Sequence, residues 1–290
     1  MKFVFQYLVC FTTILFIFSC GKVKTDHLTN LNNNTISVLG HRGSGASGIE
    51  NTYPDNTLES MEAGMDELGA DGIEMDVQLS KDNQLMLYHD GELMNTTSCS
   101  GTINSYTQDE LKNCLIDAAF YNAPLKEYHL TSLKEVFERF KNYSPQPICF
   151  LDTKHNYDAA NYQDITDFNL AFAQAINALI SNYSREGNTL VSSTNKEMLQ
   201  ILKLNYPSLK LVFDSDNFET ALFEAKALGL FGITVHYKYI SREQIETAHK
   251  NNLRVSLWGV RTKDDCKAVA RLFPDYVKTD NVPYMLSLTK

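Results

Sequence analysis

Short, continuously apolar runs alternate with stretches of helical period along most of this chain, and that alternation limits the fold more than any other feature. The runs are Ile36–Leu39, Gly72–Val77, Leu85–Tyr88, Ile148–Leu151, Thr189–Ser192, Leu209–Phe213, Gly232–Val235, Arg254–Trp258 and Tyr276–Lys278. Apolar runs without alternation mark parallel strands covered on both faces. Between them, Leu58, Met61, Met65 and Leu68 recur at helical spacing, as do Phe168, Ala171, Phe172, Ala175, Leu179 and Ile180. Ser241 with Gln244 reads as a capping box. The expected fold class is α/β, a (β/α)8 barrel. Nine runs are one too many for it. A parallel crossover needs a dozen or more residues, and Ser80-Lys81-Asp82-Asn83 is only a turn. Leu85–Tyr88 should therefore fold back as a hairpin on the second strand and bring His89 level with Asp76.

Barrel sites lie at the C-terminal ends of the strands. Read in order, those ends carry His41-Arg42, Glu74-x-Asp76, His89-Asp90, Asp152-x-Lys154, Ser192-Ser193, Asp214, His236, Trp258 and Lys278-x-Asp280. Glu74 and Asp76 are two apart on one strand, so both point to one face, here the barrel interior. Such a pair needs a cation between its members. With Asp152 the set offers three hard oxygen donors, which suit Ca²⁺ or Mg²⁺. Arg42 and Lys154 are cations for an anionic ligand. His41 and His89 can exchange protons near neutral pH. Trp258 is a candidate to stack on a substrate. His236 and Asp214 read as structural, and His129, His155 and His249 as surface residues.

The N-terminus differs from the rest. Lys2 precedes sixteen mostly apolar residues, Phe3 to Phe18, short for a membrane span and suited to a signal peptide. Ile17-Phe18-Ser19-Cys20-Gly21 resembles the bacterial lipoprotein cleavage box, with Phe18 where a small residue is usual. That resemblance implies acylation of Cys20 and a membrane-anchored protein of the bacterial cell envelope, on the periplasmic or outer face. The expected organisation is a leader at 1–19, a flexible tether at 20–35 rich in Asn, and one domain at 36–288 with an insertion at 91–128. The net charge of −9 becomes −10 without the leader, which holds one base and no acid. This acidity argues against nucleic acid as a partner. Of six cysteines, Cys10 leaves with the leader, Cys20 is acylated, Cys149 sits in a barrel strand and Cys266 in a late helix. Cys99 and Cys114 remain, and export permits them to pair.

Taken together, Gly40-His41-Arg42-Gly43, Pro54-Asp55-Asn56-Thr57, Gly69 through Val77 and His89-Asp90 resemble the signature of glycerophosphodiester phosphodiesterases. Asp152-Thr153-Lys154, Trp258 and Lys278-Thr279-Asp280 are similar to later parts of that family's pattern. The resemblance implies a phospholipase-C-like barrel that hydrolyses a small glycerophosphodiester to sn-glycerol 3-phosphate and an alcohol. It implies one divalent cation on Glu74, Asp76 and Asp152, charge stabilisation by Arg42 and Lys154, and acid–base work by His41 and His89. Asp152 and Asp55 both stand where the family more often has Glu. The second change is expected to affect loop geometry, since Thr57 is the better helix cap. The insertion is expected to lid the site and influence the choice of leaving group. A phospholipase-D-like or phosphatidylinositol-specific enzyme acting on intact lipids, and an inactive solute-binding lipoprotein, are the alternatives.

Overall fold

The computed structural model describes residues 29–46 and 52–290; the leader and Cys20 lie outside them. Nine strands form: β1 (Ser37–Gly40), β2 (Gly72–Leu79), β3 (Leu85–Leu87), β4 (Ile148–Thr153), β5 (Thr189–Ser193), β6 (Lys210–Asp214), β7 (Gly232–His236), β8 (Arg254–Val260) and β9 (Tyr276–Thr279). The order is β1-β9-β8-β7-β6-β5-β4-β2, and β1 also pairs with β2, which closes an eight-stranded parallel barrel. β3 is the ninth run. It pairs antiparallel with β2, with Val77 opposite Leu87, and the Tyr88 N–H donates to the Asp76 carbonyl at 3.0 Å. His89 therefore starts beside Asp76, as the turn length required.

Each strand from β4 onward feeds a helix: Ile165–Asn182, Lys196–Asn205, Phe218–Leu228, Arg242–Lys250, Lys263–Leu272 and Val282–Thr289. Asp164, Asn195, Asn217, Ser241, Thr262 and Asn281 cap their first turns through side-chain oxygens. These caps satisfy amide donors the helix cannot satisfy itself, each worth about 1 kcal/mol. They also set six positive helix ends on the face where the strands end. The main core lies between barrel and helices, and includes Ile73, Met75, Val77, Leu151 and Phe172. Leu39, Phe150, Leu190, Val212 and Tyr276 fill the interior, so only the upper layer is left for polar chemistry. No described helix is long and apolar enough to cross a membrane.

Two stretches differ from expectation. Residues 29–35, expected within the tether, are fastened across the base of the barrel. The Asn30 amide donates to the Pro274 carbonyl at 2.9 Å, the Leu31 N–H to Asp275 Oδ1 at 2.7 Å, and Arg254 to the Leu31 carbonyl at 3.0 Å. Side-chain amides here do what hydrophobic burial does elsewhere, so composition alone gave the wrong reading. The insertion, in turn, is a folded satellite with its own apolar cluster of Tyr88, Leu93, Ile103, Leu111, Ile116 and Tyr128. Its pieces are a four-residue helix (Gln108–Leu111) and two short 3-10 turns. They are too brief to show a period.

Cys99 and Cys114 are joined as a disulfide inside this satellite, 15 residues apart. Closing a loop of that size is worth ~3 kcal/mol in the chain-entropy model. The double substitution C99A/C114A is expected to destabilise the insertion by about that much and to expose it to protease before the barrel opens. Limited proteolysis that cuts wild type and variant at the same rate and place would contradict this.

Candidate active site

The turn after β1 sets the first half of the site. His41 continues the strand, its N–H donating to the Thr279 carbonyl. Arg42 then takes a left-handed backbone (φ 53°), followed by Gly43 at φ 111°. A Cβ on Gly43 would fall 2.4 Å from the Ser60 hydroxyl, so glycine alone lets the turn lie against the first helix. The turn aims the Arg42 N–H at Glu74 Oε2, 3.0 Å away. The next segment adds Asn56, whose side chain donates to Asp76 Oδ2 at 2.8 Å and accepts from the Asp76 N–H at 3.0 Å. Thr57 caps the helix Leu58–Glu62. Asp55 does more than shape the loop: it pairs with Arg42 Nη1 at 3.1 Å.

Glu74, Asp76 and Asp152 come together with donor oxygens within 4.8 Å of one another, at 2%, 1% and 9% exposure. Register explains it, since Asp76 on β2 lies directly opposite Asp152 on β4. Lys154 Nζ bridges Asp152 at 2.7 Å and Asp76 at 3.1 Å, and Arg42 Nε lies 3.0 Å from Asp76. Burial pushes the Asp76 pKa up, but Lys154 and Arg42 outweigh it and hold this carboxyl well below the usual carboxylate range. His41 and Lys278 act on Glu74 from farther away and do not outweigh its burial. Burial, and then Asp76, raise its pKa. Three buried oxygen donors, whose negative charges the nearby cations offset only in part, fit a hard divalent cation.

The imidazoles approach from two sides. His41 Nδ1 is 2.7 Å from Asp280 Oδ1, and its Nε2 is 3.9 Å from Glu74. Burial opposes protonation of His41, but Glu74 and Asp280 outweigh it and raise its pKa. His89 Nδ1 is 2.7 Å from Asp90, and Gln78 holds the hairpin end by donating to the Tyr88 and Asp90 carbonyls. His89 shares a cavity of about 330 Å³ with Asp152, Lys154 and Asp214. A larger cavity, of about 480 Å³, lies against the hairpin turn and the helix Ile165–Asn182, away from these groups.

Trp258 stands at the barrel mouth, half-buried, with its ring 4.6 Å from that of His236. Gly259 (φ 84°) leaves room for His236, whose Nε2 would be 2.2 Å from any Cβ there. His236 is thus packed between Trp258 and the Gly259 backbone. Two other histidines are not on the surface as expected. His155 is packed against Phe168 and Phe172, bonds to Ser193 at 2.8 Å, and is driven by burial to a pKa of about 4. His249 is half-buried at the base, 2.8 Å from Asp275. His129 is exposed. The insertion borders the site at Gly91, in the cavity wall, and at Tyr121, whose pKa is raised by burial and by Asp55. Asp280, Asn56 and Asp214 were given no site role in the sequence. Asp280 and Asp214 were marked by their strand-end positions, and Asn56 by its place between Asp55 and Thr57.

A closed barrel whose strand ends gather two histidines, an arginine and three carboxylates is an architecture for hydrolysing phosphate esters. The model of the glycerophosphoryl diester phosphodiesterase family matches residues 41–283, and the chain belongs to that family. Glycerophosphodiester phosphodiesterase of Caldanaerobacter subterraneus subsp. tengcongensis is 28% identical over 258 residues, 87% of this chain and 97% of that one. The Bacillus subtilis protein of the same name is 26% identical over 245 residues, 79% and 78% of the two chains. A solved phosphodiesterase from Oleispira antarctica, in complex with the product sn-glycerol-3-phosphate, superposes with TM-score 0.73 at 20% identity, covering 88% and 96%.

His41 has a raised pKa, so its favourable contacts stabilise the fold at pH below its ordinary value of 6.5 and are lost as pH rises through the raised value. Asp280→Asn removes one of them. In chelator, the stability gap between wild type and this variant is expected to be widest below pH 6.5 and to narrow above it, read by denaturant unfolding across pH. A gap that does not change with pH would show that Asp280 does not act through the His41 charge.

Proposed function

We propose that the chain hydrolyses glycerophosphodiesters to sn-glycerol 3-phosphate and an alcohol. The observation that carries this reading is the convergence on one strand-end face of a cation pair, three carboxylates and two imidazoles that approach from different strands. Glu74, Asp76 and Asp152 would hold Ca²⁺ or Mg²⁺, which when bound supplies positive charge to a phosphate oxygen. The chain's own groups do the rest. Arg42 and Lys154 are anchored by the carboxylates and offset charge that develops on the phosphoryl oxygens. Asp280 fixes His41 by its Nδ1 and leaves Nε2 facing the acidic set, where it can take or give a proton. His89, held by Asp90 and the hairpin, serves the other side. In-line displacement separates the attacking and leaving oxygens, so one imidazole cannot serve both. The lipoprotein-like leader supports anchoring at the cell envelope through acylated Cys20, which radiolabelled fatty acid would report.

Release of glycerol 3-phosphate from a panel of glycerophosphodiesters tests the reaction. Excess chelator is expected to abolish it, and Ca²⁺ or Mg²⁺ to restore it; full activity in chelator would reject the metal. His41→Ala and His89→Ala are each expected to lower the rate by ~10²–10⁴ while metal content is kept. A nitrophenyl phosphodiester, whose leaving group needs no proton, should rescue only the variant that lacks the acid. Near-wild-type turnover by His89→Ala would remove that residue from the chemistry.

A further inference from the structure

The cavity on the His89 side differs in kind from an ordinary ligand pocket. Such pockets are mainly apolar, yet no Leu, Ile, Val, Met, Phe, Tyr or Trp lines this one. Its carboxylates are not equivalent. Asp90 is engaged by His89, and Asp152 by Lys154. The Asp214 carboxylate, at the end of β6, has neither a hydrogen bond nor an ion pair among the described residues, although the residue is only part-exposed. Burial, and then Asp152, push the Asp214 carboxyl up to about 7, and the cations that oppose this are Lys278 and Lys154. Both are shared: Lys154 bridges Asp76 and Asp152, and Lys278 also faces Glu74. Asp216, exposed two residues on, adds to the negative charge of Asp214's surroundings.

An unpaired carboxylate in a small polar cavity favours a cation from the ligand. The cavity holds His89, so whatever part of the diester lies there is the part whose oxygen His89 serves. We propose that this cavity is the head-group subsite of the hydrolase and that Asp214 is its specificity-determining residue, selecting leaving alcohols that carry a protonated or quaternary amine over neutral ones. The inference rests on the hydrolase reading above and narrows its substrate class.

The test compares kcat/KM for sn-glycero-3-phosphoethanolamine, a cationic head group, with that for sn-glycero-3-phosphoglycerol, a neutral one. It uses the full chain at low ionic strength with Mg²⁺ or Ca²⁺. Wild type is expected to favour the cationic diester by about tenfold, the size of one partly desolvated charge pair. Asp214→Asn should collapse that ratio, mainly through KM for the amine, and Asp214→Glu should keep part of it. Calcium affinity measured by calorimetry, and the melting temperature, should stay near wild type in Asp214→Asn. An equal ratio in wild type and Asp214→Asn overturns the proposal. So does a loss common to both substrates, or weaker metal binding, either of which would make Asp214 a support of the metal site. If wild type releases glycerol 3-phosphate from neither diester, the hydrolase reading falls as well. Cleavage of both without preference leaves that reading standing and removes only the subsite.

Discussion

A buried, ionised carboxylate at Asp76 governs the arrangement of everything around it. A charge with 1% exposure is tolerated only if the surroundings replace its hydration. Here Arg42, Lys154 and Asn56 do so, from three different segments of the chain. Each is thereby fixed: Arg42 by a left-handed turn, Asn56 by a two-point amide contact, Lys154 by bridging two acids. Truncating any one of them leaves part of a charge unpaired in the interior, which is why the turn glycine, the Asn56 loop and β4 behave as one unit.

The same neighbourhood leaves Glu74 less well compensated. Asp76 takes most of the positive charge, and Glu74, buried beside it, is left with its pKa raised. Two equally buried acids two residues apart thus have pKa values shifted in opposite directions, because the side chains of Lys154, Arg42 and Asn56 reach Asp76 and not Glu74. His41 answers part of that charge from one side, steadied by Asp280. The six capped helix ends on this face add a positive field where a phosphate would approach. Chemistry is confined to the upper layer because Phe150, Leu190 and Tyr276 close the barrel below it.

The base and the satellite contribute stability. The N-terminal strap and the His249–Asp275 pair lie at the opposite end of the strands, where loop changes do not disturb the site. The insertion builds its own small core and disulfide, and it borders the site at Gly91 and Tyr121. A satellite folded on its own cross-link can vary without repacking the barrel.

The repeating apolar runs, the short turn at Ser80–Asn83 and the strand-end residues are local properties, so the sequence alone determined the barrel, the β2–β3 hairpin and the pairing of Glu74 with Asp76 on one face. Periodicity and spacing report which way a side chain points. They do not report what it meets across the barrel. Only the tertiary structure decided that Asp280 holds His41, that Asp55 belongs to Arg42, that His155 and His249 are half-buried against partners, and that the Asp214 carboxylate is left unpaired beside His89. Each of these depends on contacts between segments from 13 to 239 residues apart. Strand register and shear fix such contacts, and no local pattern encodes them. The strap at residues 29–35 was missed for a related reason. Its Asn side chains find backbone partners that exist only once β8 and β9 have paired.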